Sequence, residues 1–67
     1  MNSTNLEVKS RLYEELKDLN AKITRLNSIF SEKYLDIPVE QLNLLMEQHI
    51  YMVKYQNILV KRVLEMN

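Results

Sequence analysis

Residues 44–63, LLMEQHIYMVKYQNILVKRV, have the spacing of a helix but too little polar surface for one that packs on a single neighbour. Glu47, Lys54 and Lys61 form a narrow charged line, and most of the remaining surface is apolar or weakly polar. Leu45, Met52, Leu59 and Met66 recur at heptad spacing, with Met46, Val53 and Val60 beside them. Leu44, Tyr51 and Ile58 lie on the other flank, and Ile50 and Leu64 stand further round the cylinder. One partner helix covers a stripe of roughly 100°. Each large apolar side chain left in water forgoes about 1.5–3 kcal/mol, which in sum rivals the stability of a small domain. The expectation is an obligate homo-oligomer with Leu45, Met46, Ile50, Met52, Val53, Leu59 and Val60 at its interface. A dimer forming a four-helix bundle is the simplest version, and a trimer of such dimers is the next.

The N-terminal half supplies the first partner. Thr4 to Glu7 reads T-x-x-E, a capping box in which hydroxyl and carboxylate satisfy free backbone amides. Behind it Leu12, Leu16, Leu19, Ile23, Leu26 and Phe30 follow a 4, 3, 4, 3, 4 spacing, extended one turn earlier by Val8. Lys9, Glu14, Lys17, Asp18 and Arg25 fill the far side. Pro38 is the only proline; it suits a helix start and biases Ile37 towards extended geometry. Glu40 then falls in a first turn, where the helix dipole favours an anion. Helices over about 4–31 and 38–65, joined by a short break, must lie antiparallel. The fold class is all-α: a single-domain two-helix hairpin over residues 1–67, with Tyr34, Leu35 and Ile37 folded back over its closed end.

Composition narrows the function. Nine basic and nine acidic residues cancel, so the chain lacks the basic excess that long nucleic acid demands. It has no cysteine and one histidine, which removes disulfides, thiolate sites and a zinc site within one chain. With no glycine, close-approach phosphate loops are absent as well. No apolar run reaches the ~20 residues needed to cross a bilayer, and no signal core opens the chain, so a cytoplasmic protein is expected. A chain this short buries only ~60% of its unfolded surface, and self-association is the remaining means of stabilising it.

Gln48, Tyr55 and Arg62 also recur at sevens, alternating with the Leu45 row. One assignment makes them a polar thread that sets register inside a bundle, with Glu7 or Glu14 pairing Arg62. The other makes them a ligand surface: Tyr55 stacks, Arg62 forks a phosphate or carboxylate, and Gln48 meets a base edge. His49, one helical step from the seam, fits a hydrogen-bonded interface role. Tyr13, Tyr34 and Tyr51 suit interfaces, with hydroxyls reaching water. Lys9, Arg11, Lys22, Lys54 and Lys61 form a solvated face in one chain, or an anion pocket where copies meet. Glu14, Glu15 and Asp18 have no metal-loop spacing. No catalytic set, metal site or cofactor site is expected, and the chain is not expected to be an enzyme.

Leu44, Leu45, Gln48, Met52, Tyr55, Ile58, Leu59, Arg62 and Val63 resemble a pattern found in small bacteriophage proteins of about this length. Leu16, Leu19, Lys22, Ile23, Leu26, Ile29, Phe30 and Tyr34 fit its first half. Those proteins are similar to the helical-hairpin group that includes anti-CBASS and anti-Thoeris sponges. The resemblance implies an oligomer that sequesters a cyclic or ADP-ribose-derived signalling nucleotide without cleaving it, so blunting host antiviral immunity. Ligand contacts are then expected at Tyr55, Arg62 and Tyr13, followed by Lys22, Lys54 and Gln48, at subunit junctions. The rival is a helical module that inhibits or adapts a host or phage protein through Met46, Ile50 and Val53. A small DNA-binding regulator would need a recognition helix and basic patch that the sequence lacks.

Overall fold

A computed structural model of the protein describes residues 3–66, with side chains from residue 6 onwards. Helix α1 runs Ser3–Glu32, a 3₁₀ turn covers Tyr34–Asp36, and helix α2 runs Val39–Glu65. The bounds agree with the pattern of apolar residues, and no described helix is long and apolar enough to cross a membrane. At its start α1 is already helical at Ser3, so Thr4 lies inside the first turn rather than capping it. The Thr4 side chain lies outside those described.

The reversal uses no residue with positive φ, as suits a chain without glycine. Lys33 closes α1 by donating its backbone N–H to the Ile29 carbonyl at 2.9 Å, and Asp36 N–H returns to the Lys33 carbonyl at 3.0 Å. Ser28 and Ser31 donate their hydroxyls to carbonyls of the preceding turn, so these short polar side chains are satisfied near the helix end. Ile37 is extended at φ −102°, ψ 128°, as expected before a proline. Pro38 sits just outside α2 rather than in its first turn; its carbonyl accepts the first helical bond, from Leu42 N–H at 2.9 Å. Leu35 does not fold back over the closed end. It is 82% exposed, Tyr34 is also exposed, and only Ile37 is half-buried. The tight turn holds too few residues to return Leu35 to the seam.

The two helices meet along one seam. On α1 the buried residues are Leu12, Leu19, Ile23 and Leu26; on α2 they are Leu59, wholly enclosed, and Val63. Val8, Leu16, Met52, Val53 and Met66 pack around this cluster, which therefore lies towards the open end of the hairpin. At the closed end Phe30 meets His49 edge to face, with ring centroids 5.7 Å apart at 74°. Midway, Gln56 donates from Nε2 to Asn20 Oδ1, fixing the antiparallel register. On α2 the seam thus runs Leu45, His49, Met52, Gln56, Leu59, Val63 and Met66, alternating steps of four and three. Gln48, Tyr55 and Arg62 lie one residue to the side and are exposed, so the polar members between the two helices are His49 and Gln56.

The hairpin is a rod of 52 × 15 × 13 Å with a radius of gyration of 15.5 Å. A compact chain of this length would have a radius of about 11 Å. The difference is visible on α2, where Leu44, Met46, Ile50, Tyr51, Ile58, Val60 and Leu64 all stand exposed.

Leu59→Ala removes the one fully enclosed side chain among the described residues and should lower unfolding free energy by about 2–5 kcal/mol in a denaturant titration. A double-mutant cycle on Asn20 and Gln56, with alanine at each, should return a coupling of about 0.5–1.5 kcal/mol. A coupling near zero would show that water satisfies both amides as well as they satisfy each other.

Candidate functional site

The seam divides the surface of the hairpin into two unlike sides. A shallow groove of about 270 Å³ is lined by Lys22, Arg25, Leu26, Ile29, Leu45, Gln48 and Met52. Lys22 and Arg25 are one turn apart on α1, where positions i and i+3 are neighbours. Leu26, Ile29, Leu45 and Met52 make an apolar floor, and Gln48 supplies an amide from the opposite wall. No carboxylate lines this groove. Among the described residues neither cation is held in an ion pair.

Helical spacing extends this side towards the open end. Tyr55 and Arg62 continue the Gln48 row on α2, and Glu15 continues the Lys22 row on α1. The Asn20–Gln56 register sets Lys22 level with Tyr55, and Glu15 level with Arg62. Glu15, rather than Glu7 or Glu14, is therefore the carboxylate on the Arg62 side. Glu14 instead lines a different groove with Leu6, Lys9, Ser10, Tyr13 and Lys17, and Glu7 is on the Glu14 row. Arg62 itself is exposed.

The second side carries Leu6, Tyr13, Asn20 and Asn27 from α1 and Met46, Val53 and Val60 from α2. Neither row holds a Lys, Arg, Asp or Glu; Lys9, Glu14 and Lys17 border this side at the open end and His49 borders it at the closed end. At the closed end Phe30, Tyr34, Leu42, Met46, His49 and Ile50 enclose an apolar groove of about 540 Å³. Among the described residues the contact His49 makes here is with the Phe30 ring rather than a hydrogen bond.

The structure brings together two of the expected ligand residues, Lys22 and Gln48, and puts Tyr55 and Arg62 on the same side. Tyr13 is separated from them, since it lines the opposite side of the rod. Lys54 is separated too: its Nζ lies 5.5 Å from the centroid of the Tyr51 ring, on the outward face of α2. Of the expected interface residues, Met46, Ile50 and Val60 are exposed, while Leu45, Met52 and Val53 are half-buried by the hairpin itself. Leu59 is 0% exposed within one chain and leaves a second copy nothing to cover. Arg25 was assigned to the solvated far side by the apolar pattern, yet it borders the groove. Its place one turn after Lys22 was the available signal.

No group of three or more His, Asp or Glu residues could hold a metal ion among the described residues. What the Lys22 groove can do is bind: two cations, one amide and an apolar floor suit a compact anion carrying a planar or apolar part. No curated protein and no solved structure matches the chain. The family model Sequestin matches residues 6–65, which takes in nearly all of both helices and the turn between them, and the chain therefore belongs to the Sequestin family.

Proposed function

We propose that the chain is a non-enzymatic, homo-oligomeric, phage-type protein that captures a small signalling nucleotide, cyclic or ADP-ribose-derived, and withholds it from host antiviral immunity. The observation that carries the ligand class is the convergence of Lys22, Arg25 and Gln48 on one groove over an apolar floor. The family name is compatible with sequestration. Arg25 offers a planar fork for phosphate oxygens, Lys22 a point charge, and Gln48 a donor and acceptor for a base or ribose edge. Tyr55, level with Lys22, supplies a stacking ring at the groove's end, and Arg62 a further cation beyond it.

The groove's about 270 Å³ falls short of the ~300–1,000 Å³ of ordinary ligand pockets. A second chain has to close over the ligand, which accords with binding at a junction between copies. Capture by binding alone needs no acid, base or nucleophile aimed at the ligand. It needs only a slow release, set by how completely the anion is enclosed and paired.

Calorimetry with ADP-ribose and with a cyclic dinucleotide as the two probes tests this. One of them should bind, and chromatography after denaturation should recover it chemically intact. Charge-assisted hydrogen bonds contribute about 1.5–3 kcal/mol each. Arg25→Gln and Lys22→Gln should therefore each weaken binding roughly 10- to 100-fold with helicity unchanged. Arg25→Lys should recover part of the Arg25→Gln loss. Cleavage of the probe would exclude a pure sponge. Failure of both probes, with no small molecule co-purifying from signalling cells, would remove the nucleotide from the proposal.

A further inference from the structure

We infer that the uncharged side of the hairpin is where a second copy of this chain docks, as an antiparallel two-fold dimer centred near Val53. The inference deepens the homo-oligomer proposed above and identifies the surface that makes it.

Three observations carry it. The first is area. The chain exposes 5449 Å² at a mass of 8.1 kDa. A compact monomer of that mass would expose about 4,500 Å². The excess, about 900 Å², is close to the ~800 Å² that each partner buries in a stable interface. The second is placement of the exposed apolar groups. Met46 is 52% and Ile50 53% exposed, and both border the apolar groove beside Phe30 and His49. Val53 and Val60 continue their line towards the open end.

The third is self-complementarity. A two-fold interface sets one patch against itself, so any charge in its centre would meet its own copy. The Met46–Val53–Val60 row contains none. Val53 lies near the middle of α2, Val39–Glu65, so a two-fold axis there overlaps the two helices along their whole length. Met46 of one copy then meets Val60 of the other, and Ile50 meets the Gln56–Asn57 step. The opposite flank of α2 cannot do this as well. There Tyr51 and Ile58 are interleaved with Arg62 and the Lys54 ammonium that lies over Tyr51.

In the resulting four-helix unit the Lys22–Arg25–Gln48 groove remains on the outer surface of each hairpin. The nucleotide is then enclosed where the groove of one dimer meets that of the next. Tyr13, on the docking side, is a contact between copies and not with the ligand.

Sedimentation of the ligand-free full chain at micromolar concentration reads the interface without involving the groove. The wild type should sediment as a dimer or a multiple of it. Ile50→Glu should weaken association at least 100-fold, whereas Ile58→Glu, at a residue of matching exposure on the other flank, should leave it unchanged. A monomeric wild type overturns the inference, as does an Ile50→Glu protein that stays paired or an Ile58→Glu protein that comes apart. A monomeric wild type would also remove the homo-oligomer proposed above, whereas the ligand class is tested separately, by calorimetry. Should Ile50→Glu fail to fold, the cysteine-free chain permits a second measurement. Val53→Cys should form a disulfide-linked dimer under mild oxidation much faster than Ile58→Cys does, with helicity retained. Linkage at 53 no faster than at 58 would place the docking surface elsewhere.

Discussion

Two helices lying side by side can hide only the stripe along which they touch, and every other property of this protein follows from that limit. The seam encloses Leu59 and buries Val63 against Leu12, Leu19 and Ile23. Outside the seam α2 exposes large apolar side chains on both flanks, and among the described residues no third long helix covers them. A chain of ordinary amphipathic helices would have filled those rows with Lys and Glu. Here Glu47, Lys54 and Lys61 keep to the back of α2, which leaves the Met46 row free of charge, while Arg62 falls on the Gln48 row.

The consequence is a rod with two unlike sides. Along one, Asn20, Asn27 and the Met46 row leave a surface free of Lys, Arg, Asp and Glu. Along the other, Lys22 and Arg25 border an apolar floor with no carboxylate to neutralise them. Overall neutrality conceals this division, because net charge is a sum over the chain and a binding groove depends on local arrangement. Nine cations balanced by nine anions leave no overall basic excess, yet they permit a groove bordered by two cations.

Much of the fold was legible in the sequence because helices and breaks are local. The 4–3 spacing from Leu12 to Phe30 marked the buried stripe of α1, and Pro38 with Ile37 marked the entry to α2. The seam of α2 was only half legible. Leu45, Met52, Leu59 and Met66 can alternate with residues three or four positions on, and heptad spacing alone does not choose between them. One choice gives Gln48, Tyr55 and Arg62; the other gives His49, Gln56 and Val63. The structure takes the second, because Gln56 finds Asn20 and His49 finds Phe30 across the seam. Those partners lie 36 and 19 residues away, and no local pattern announces them. The same ambiguity misplaced Arg25. A small rotation of α1 about its axis decides whether that residue faces water or borders the groove, and the rotation is set by packing.

Gln56 and Asn20 also bear on why the pair of helices keeps one register. An apolar heptad seam of this kind can slide by a turn at modest cost, since Leu and Met side chains adapt to shifted neighbours. Sliding would part Gln56 from Asn20 and give up their hydrogen bond, about 0.5–1.5 kcal/mol. The register also sets the surface. With the register held, Lys22 and Arg25 stay opposite Gln48, Tyr55 stays level with Lys22, and the uncharged rows of the two helices stay flush. A shift by one turn would move Gln48 away from both cations and open a step across the uncharged side. One exposed amide pair in the middle of the rod therefore keeps both sides in alignment, with Asn20 itself on the uncharged one.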